Sequence, residues 1–199
     1  MQIGSLTWWP DLGYGFDGTS TIEYAGDYWA EYERRDATEI GRQITQSRID
    51  LVKRHTGRTP VDIGIGAGAF VKAMKCYGYD INQIAVRWLK DNGAYIDPYS
   101  SFPGCMTFWD SLEHIPNPEE LIRRIPVGGF AFCSIPVFDG PEQCIQSKHY
   151  KPGEHIWYWS HEGFIRYMER MKFFCLEWNN CETQLGRDSV KSYAFVNRP

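Results

Sequence analysis

The chain has 199 residues, a formal net charge of −4 and 16% aromatic side chains, with eight Trp among them; that length holds one α/β domain, with a sizeable core and no need of disulfides. The acidic balance supplies no electrostatic footprint for nucleic acid, and no signal peptide or long apolar span is visible. Six scattered cysteines (Cys76, Cys105, Cys133, Cys144, Cys175 and Cys181) form no C-x-x-C or metal-ligand spacing, so a reducing, cytoplasmic setting is expected.

Residues 1–20 are rich in Gly, Trp and Tyr and lack a clear period, which predicts an irregular N-terminal arm. The arm is expected to run to residue 26, ahead of a single domain over 27–199. Residues 27–55 read as helix in two pieces. In the second piece Ile40, Ile44, Ile49, Leu51 and Val52 fall near helical spacing, and Gly57 is placed as a C-cap. Residues 60–65 form a strand, with Pro60 at its start, where a missing N–H costs little. A helix follows over 68–76, a short strand over 77–80, and a helix over 82–92 that Gly93 stops. A weak strand is expected over 94–96, a strand over 106–109, a helix with Pro in its first turn over 117–125, and a strand over 130–135. Residues 138–153 read as a long loop and 160–171 as a helix. The last strands, 173–178 and 192–196, have no helix between them and should pair as an antiparallel hairpin. Strands alternating with helices predict an α/β fold, a doubly wound and mostly parallel sheet closed by that hairpin.

The run Val61-Asp62-Ile63-Gly64-Ile65-Gly66-Ala67-Gly68-Ala69-Phe70 is a buried strand that enters a glycine-rich turn and opens a helix. Such a turn brings backbone N–H groups close to a ligand, because Gly64, Gly66 and Gly68 carry no Cβ. Asp62 lies near the strand's carboxyl end, where ligands bind in open α/β sheets. Asp80 ends the next strand and is suited to accept hydrogen bonds from ribose hydroxyls. These residues leave three readings open. Gly64-x-Gly66-x-x-Ala69 also satisfies the dinucleotide fingerprint, so an NAD-dependent oxidoreductase remains. A non-catalytic, partner-binding domain with the same turn remains as well.

The D-x-G-x-G-x-G pattern resembles motif I of the class I S-adenosylmethionine-dependent methyltransferases. Met106-Thr107-Phe108-Trp109-Asp110-Ser111-Leu112-Glu113-His114-Ile115-Pro116 resembles their strand-four segment, in the branch that includes ubiquinone-biosynthesis O-methyltransferases. The likeness runs from about Tyr28 to the C-terminus. It implies a Rossmann-like class I methyltransferase fold, with S-adenosylmethionine as cofactor and S-adenosylhomocysteine as product. It implies methyl transfer to an O or N nucleophile of a small-molecule acceptor. By resemblance, Asp62, Gly64, Gly66, Gly68, Asp80, Ile81, Trp109, Asp110, Arg48 and Tyr28 contact the cofactor. His114 faces the acceptor, where an imidazole suits a general base because the acceptor must lose a proton.

His149 and His155 are the further candidate bases, and Tyr150, Lys148 and Trp157 the candidate acceptor contacts. They lie on a stretch that closes the acceptor pocket in that branch. Asp110, Glu113 and His114 also match an acidic-x-x-Glu-His pattern that holds magnesium in some ubiquinone-pathway relatives. The first position here is Asp rather than Glu, and no metal is expected. Gly104-Cys105-Met106 departs from many relatives, which carry an Asp at the start of this strand. The [DNS]-P-P-[YFW] motif of DNA amino-methyltransferases and the Pro-Cys of cytosine-C5 enzymes are both missing, so a nucleic-acid substrate is disfavoured.

Overall fold

Residues 1–19 and 28–199 are described in the computed structural model. Strands β1 (Gln2–Ile3), β2 (Leu6–Trp9) and β3 (Tyr14–Asp17) precede helices α1 (Tyr28–Asp36) and α2 (Glu39–His55). The chain continues through β4 (Val61–Ile63), α3 (Ala69–Met74), β5 (Tyr77–Tyr79), α4 (Gln83–Asp91) and β6 (Cys105–Trp109). A 3-10 turn at Leu112–His114 leads to α5 (Pro118–Ile122), β7 (Phe130–Pro136), α6 (Pro141–Gln146) and β8 (Trp157–Trp159). Helix α7 (His161–Glu169), β9 (Phe173–Asn179), α8 (Cys181–Gln184) and β10 (Val190–Asn197) complete it.

The main sheet has the order β5-β4-β6-β7-β10-β9. Strands β5, β4, β6 and β7 are mutually parallel, and β10 runs antiparallel to both β7 and β9. The expected α/β architecture and terminal antiparallel pair are therefore present. Side-chain alternation shows how both faces are covered. Met106 and Phe108 of β6, Ala131, Cys133 and Ile135 of β7, and Tyr193 and Phe195 of β10 pack toward α5 and α7. Cys105, Trp109, Phe132 and Ala194, from the intervening positions, pack toward α2, α3 and α4. A strand buried on both faces needs apolar residues at consecutive positions, which is why 105–109 and 130–136 are apolar but for Thr107 and Ser134, each of which is buried with a hydrogen bond. Helices α2, α4 and α7 are started by side-chain caps. Thr38 accepts from the Gly41 amide, Asn82 from Ile84 and Ser160 from Gly163.

Several expectations are corrected. The described part of the N-terminal arm is not irregular: β1, β2 and β3 form an antiparallel sheet with β8. Leu6 and Trp8 are buried against Phe138, Cys144 and Tyr158, while Trp9 is exposed. Strands this short show barely one period of alternation, so their sequence carries little signal. The end of the arm, 20–26, and residue 27, the expected helix start, lie outside the described residues. The stretch 138–153 holds α6 rather than one continuous loop, and α8 sits between β9 and β10. Residues 94–96 contribute one bridge, Gly78 to Tyr95, and no strand.

The N-terminal sheet is tied to α7 by a close backbone approach. The Ser160 amide donates to the Gly13 carbonyl at 2.8 Å, and a Cβ on Gly163 would overlap that carbonyl. Leu6→Ala should therefore cost about 2–5 kcal/mol, the range for a fully buried leucine. Urea denaturation measures this directly, and a near-neutral change would show the segment to be an unpacked arm.

Candidate active site

Strand β4 ends in a loop whose shape needs glycine. Gly64 and Gly66 have φ of +76° and +56°, the left-handed region that L side chains rarely adopt. Space forbids a side chain as well. A Cβ on Gly64 would lie 2.7 Å from the Ser111 Cβ, and one on Gly66 would lie 2.8 Å from the Tyr32 ring. Asp80 splints the loop to the end of β5: Oδ2 accepts from the Ile65 amide at 2.9 Å and Oδ1 from the Asn82 amide at 2.8 Å. Burial nevertheless pushes its pKa above the ordinary carboxylate value. Asp62 lies behind the loop, inside β4. Its carboxylate accepts from the Thr107 hydroxyl at 2.6 Å, and burial pushes its pKa up to about 7.

The loop forms one wall of a cavity at the carboxyl ends of the parallel strands. Gly64, Gly66, Asp80 and Ile81 line it, and so do Tyr28, Trp109, Asp110 and His114. The structure thus brings eight of the expected residues to one cavity. Tyr32, Tyr79, Tyr99 and Ser111 line it too. Arg48 and Asp62 face an adjoining cleft beyond Gly66 and Trp109. Gly68, also at positive φ, packs against the Trp88 ring instead.

Asp110 has φ of +55° and is held by a buried cluster of four charges. Arg187 makes a two-pronged pair with it, Nη1 to Oδ2 at 2.7 Å and Nη2 to Oδ1 at 2.8 Å. Arg48 adds a third bond at 2.8 Å. The same Arg48 grips Glu182 with Nε at 2.7 Å and Nη2 at 2.9 Å, and Arg187 also reaches Glu182. Ser134 donates to Glu182 at 2.7 Å and contacts Ser192 at 2.8 Å. Burial alone would raise both carboxyls, but the arginines outweigh it and hold Asp110 and Glu182 below the usual carboxylate range. Sequence reading identified Arg48 and Asp110 but not Glu182 or Arg187. These lie far along the chain, on no recognisable motif, and only the sheet order brings α8 beside α2.

His114 also lines the cavity. Its Nδ1 lies 3.0 Å from the Glu154 carbonyl, which can only accept, so Nδ1 carries the proton and Nε2 keeps its lone pair. Burial lowers the pKa of this imidazole. His155 packs behind it, ring centroids 4.6 Å apart, and is itself buried. The other residues expected near the acceptor do not line the cavity. Lys148 pairs with Asp188 on the surface, and His149 Nε2 meets the Asp188 carbonyl at 2.8 Å. Tyr150 stacks near Tyr158, and Trp157 packs on Phe16 with its Nε1 donating to the Ile115 carbonyl at 3.1 Å.

Residues 31–177 match the methyltransferase domain family. The chain belongs to that family. S-adenosylmethionine is therefore its cofactor, and the class I fold expected from the glycine loop is the one observed. No curated protein sequence matches the chain. Solved structures with the same fold include a methyltransferase of Thermotoga maritima described as a possible histamine N-methyltransferase, 16% identical over 86% of this chain and 97% of its own, with a TM-score of 0.60. An S-adenosylmethionine-dependent methyltransferase of Archaeoglobus fulgidus is 13% identical over 85% of this chain and 100% of its own, at 0.62. The magnesium protoporphyrin IX methyltransferase of Synechocystis, with S-adenosylhomocysteine bound, is 12% identical over 87% and 94%, at 0.58. The residues present suit the cofactor. The glycine loop lines the cavity with bare backbone at Gly64 and Gly66, and the buried Trp109 Nε1 in the cavity wall has no hydrogen-bond partner among the described residues. No helix among those residues is long and apolar enough to cross a membrane.

The charge cluster yields a prediction for the methyltransferase. Glu182→Gln leaves two buried guanidiniums facing one carboxylate and should cost about 3–5 kcal/mol at neutral pH. Because both carboxyls have depressed folded-state pKa values, their contribution is full above the unfolded carboxylate range, at about pH 4, and is lost as pH falls below it. The variant should show a flatter loss of stability through that acid range. Denaturant titrations at neutral and acid pH compare the two, and an identical acid limb would remove the carboxylate from the account.

Proposed function

We propose that this methyltransferase moves the methyl group of S-adenosylmethionine to an oxygen or nitrogen nucleophile of a small-molecule acceptor, and that His114 takes the proton the acceptor gives up. The observation that carries this reading is that one cavity is lined by Asp80 and Ile81 together with Asp110 and His114. Asp80 keeps acceptor capacity for a ribose hydroxyl beyond the backbone amides it holds, since a carboxylate offers about four lone-pair sites. Ile81 is 57% exposed at the rim beside Tyr99 and suits the flat face of the adenine. The Asp110 carboxylate suits the ammonium of the methionine part. Arg48 acts on the cofactor through Asp110, whose position it fixes together with Arg187.

In the reaction the sulfur–methyl bond breaks as the methyl–oxygen or methyl–nitrogen bond forms. The protein's part is to align the pair in a dry cavity and to accept the proton at His114 Nε2. A lowered imidazole pKa keeps that nitrogen unprotonated at neutral pH. His155 and His149 are then not bases, because one lies behind His114 and the other is tied to a distant carbonyl. Acceptor contacts fall to Tyr99, Ile115 and Pro116 around the cavity rather than to Lys148, Tyr150 and Trp157. The Leu112–Pro116 run favours the ubiquinone-type O-methyltransferase branch within the family.

Calorimetric titration with S-adenosylmethionine, S-adenosylhomocysteine and NAD tests the cofactor assignment. Both sulfur cofactors should bind and NAD should not. Asp80→Ala should weaken S-adenosylmethionine by about 1.5–3 kcal/mol, the scale of a charge-assisted hydrogen bond. Unchanged affinity would end the ribose assignment. With an acceptor found by screening, His114→Ala should lower kcat by about 10²–10⁴-fold and leave cofactor affinity intact. In the parent, kcat/KM should fall only below about pH 6.5, the ordinary imidazole value, because the depressed pKa keeps the base neutral until then.

A further inference from the structure

Behind the cavity wall two segments meet. One is the 3-10 turn Leu112–His114 and the other is the residues leading into β8. The Ile156 amide donates to the Glu113 carbonyl at 2.8 Å, which clamps the segments together. The clamp brings Glu113, His114 and His155 into one group, with a ligand atom from each lying within 4.8 Å of the other two.

Two of these side chains have polar atoms with nothing to bind. Glu113 is 2% exposed and His155 is 4% exposed. Glu113 Oε2 and His155 Nδ1 have no hydrogen-bond partner among the described residues. An orphaned buried polar atom costs about 1–3 kcal/mol, and here two sit in one cluster. Native interiors seldom tolerate this unless something fills the gap. His114 is arranged as metal-binding imidazoles are, with Nδ1–H held by the Glu154 carbonyl at 3.0 Å and the other nitrogen left as a lone pair.

We propose that Glu113, His114 and His155 form a site for a divalent ion of the zinc type, set into the wall of the cavity. The donor chemistry selects the ion. Two imidazoles and one carboxylate suit zinc and its neighbours, whereas magnesium wants oxygen ligands. Asp110, the residue that would make the set rich in carboxylate, is not among the three whose ligand atoms lie together, its carboxylate being turned to Arg48 and Arg187. His155 takes its place from a segment more than forty positions downstream of Glu113. Three protein ligands leave a fourth position open, and His114 lines the cavity. A bound ion occupies the nitrogen that otherwise takes the acceptor's proton, and it offers the acceptor a coordination position instead. The site itself rests on these three side chains and not on the methyl-transfer reading.

The test uses untagged full-length protein, stripped with a chelator and equilibrated with Zn2+, then measured by elemental analysis. Co2+ serves as a spectroscopic probe. About one equivalent of Zn2+ per chain is expected, with visible Co2+ bands of a nitrogen-and-oxygen site, and Mg2+ should not displace either ion. His155→Asn and Glu113→Gln should each weaken Zn2+ by at least about tenfold, and His161→Asn should not. Circular dichroism and thermal melts confirm that each variant is folded, and if one is not, the other decides. Failure to retain Zn2+, or retention unaltered in a folded His155→Asn or Glu113→Gln variant, overturns the site. Cofactor titrations on the same preparations separate the two readings, since ion-free protein that binds S-adenosylmethionine removes only the metal.

Discussion

The paired arginines Arg48 and Arg187, locked against Asp110 and Glu182, are the interaction on which the site geometry depends. Two positive and two negative charges meet out of water, and the hydroxyl of Ser134 satisfies a remaining lone pair of Glu182. A buried charge is tolerated only when paired in this way, and such clusters contribute more to a unique arrangement than to net stability. This one joins α2, the end of β6, α8 and the segment before β10. It holds Asp110 in a left-handed backbone conformation, which turns the chain off β6 so that Ser111 reaches across and donates to the Ile63 carbonyl. The glycine loop and the Leu112–His114 turn are positioned against each other by that crossing.

The apolar core supplies the platform for this arrangement. Alternate side chains of β6, β7 and β10 feed two separate clusters, one under α2, α3 and α4 and the other under α5 and α7. The strand ends therefore stay in register while the loops above them carry the chemistry, the usual division of labour in open α/β sheets. The second sheet buttresses the wall that carries His114. Strand β3 pairs with β8, and the chain just before β8 is clamped to Glu113, so the first nineteen residues bear on His114 and His155 although they supply no cavity group.

Much of this was legible in the sequence. The D-x-G-x-G-x-G run, Asp80 and the Trp109–His114 segment each announce their position because each depends on local chemistry. Left-handed turns need glycine, strand ends need acceptors, and a doubly buried strand needs consecutive apolar residues. Tyr28, Gly64, Gly66, Asp80, Ile81, Trp109, Asp110 and His114 accordingly share one cavity. The N-terminal strands were not legible, because two to four residues show too little alternation to separate a strand from an irregular segment.

The sequence by itself determined the α/β class, the glycine turn after the first parallel strand and the antiparallel pairing of the last two strands, because these follow from periodicity and from the steric demands of single residues. Only the tertiary structure decided the partners. Arg48 meets Glu182 across 134 positions, Arg187 meets Asp110 across 77, and His155 joins Glu113 and His114 from the segment ahead of β8. No local pattern encodes such meetings. They exist because the sheet brings α8 beside α2 and because burial forces each charge and each imidazole to find its complement within reach.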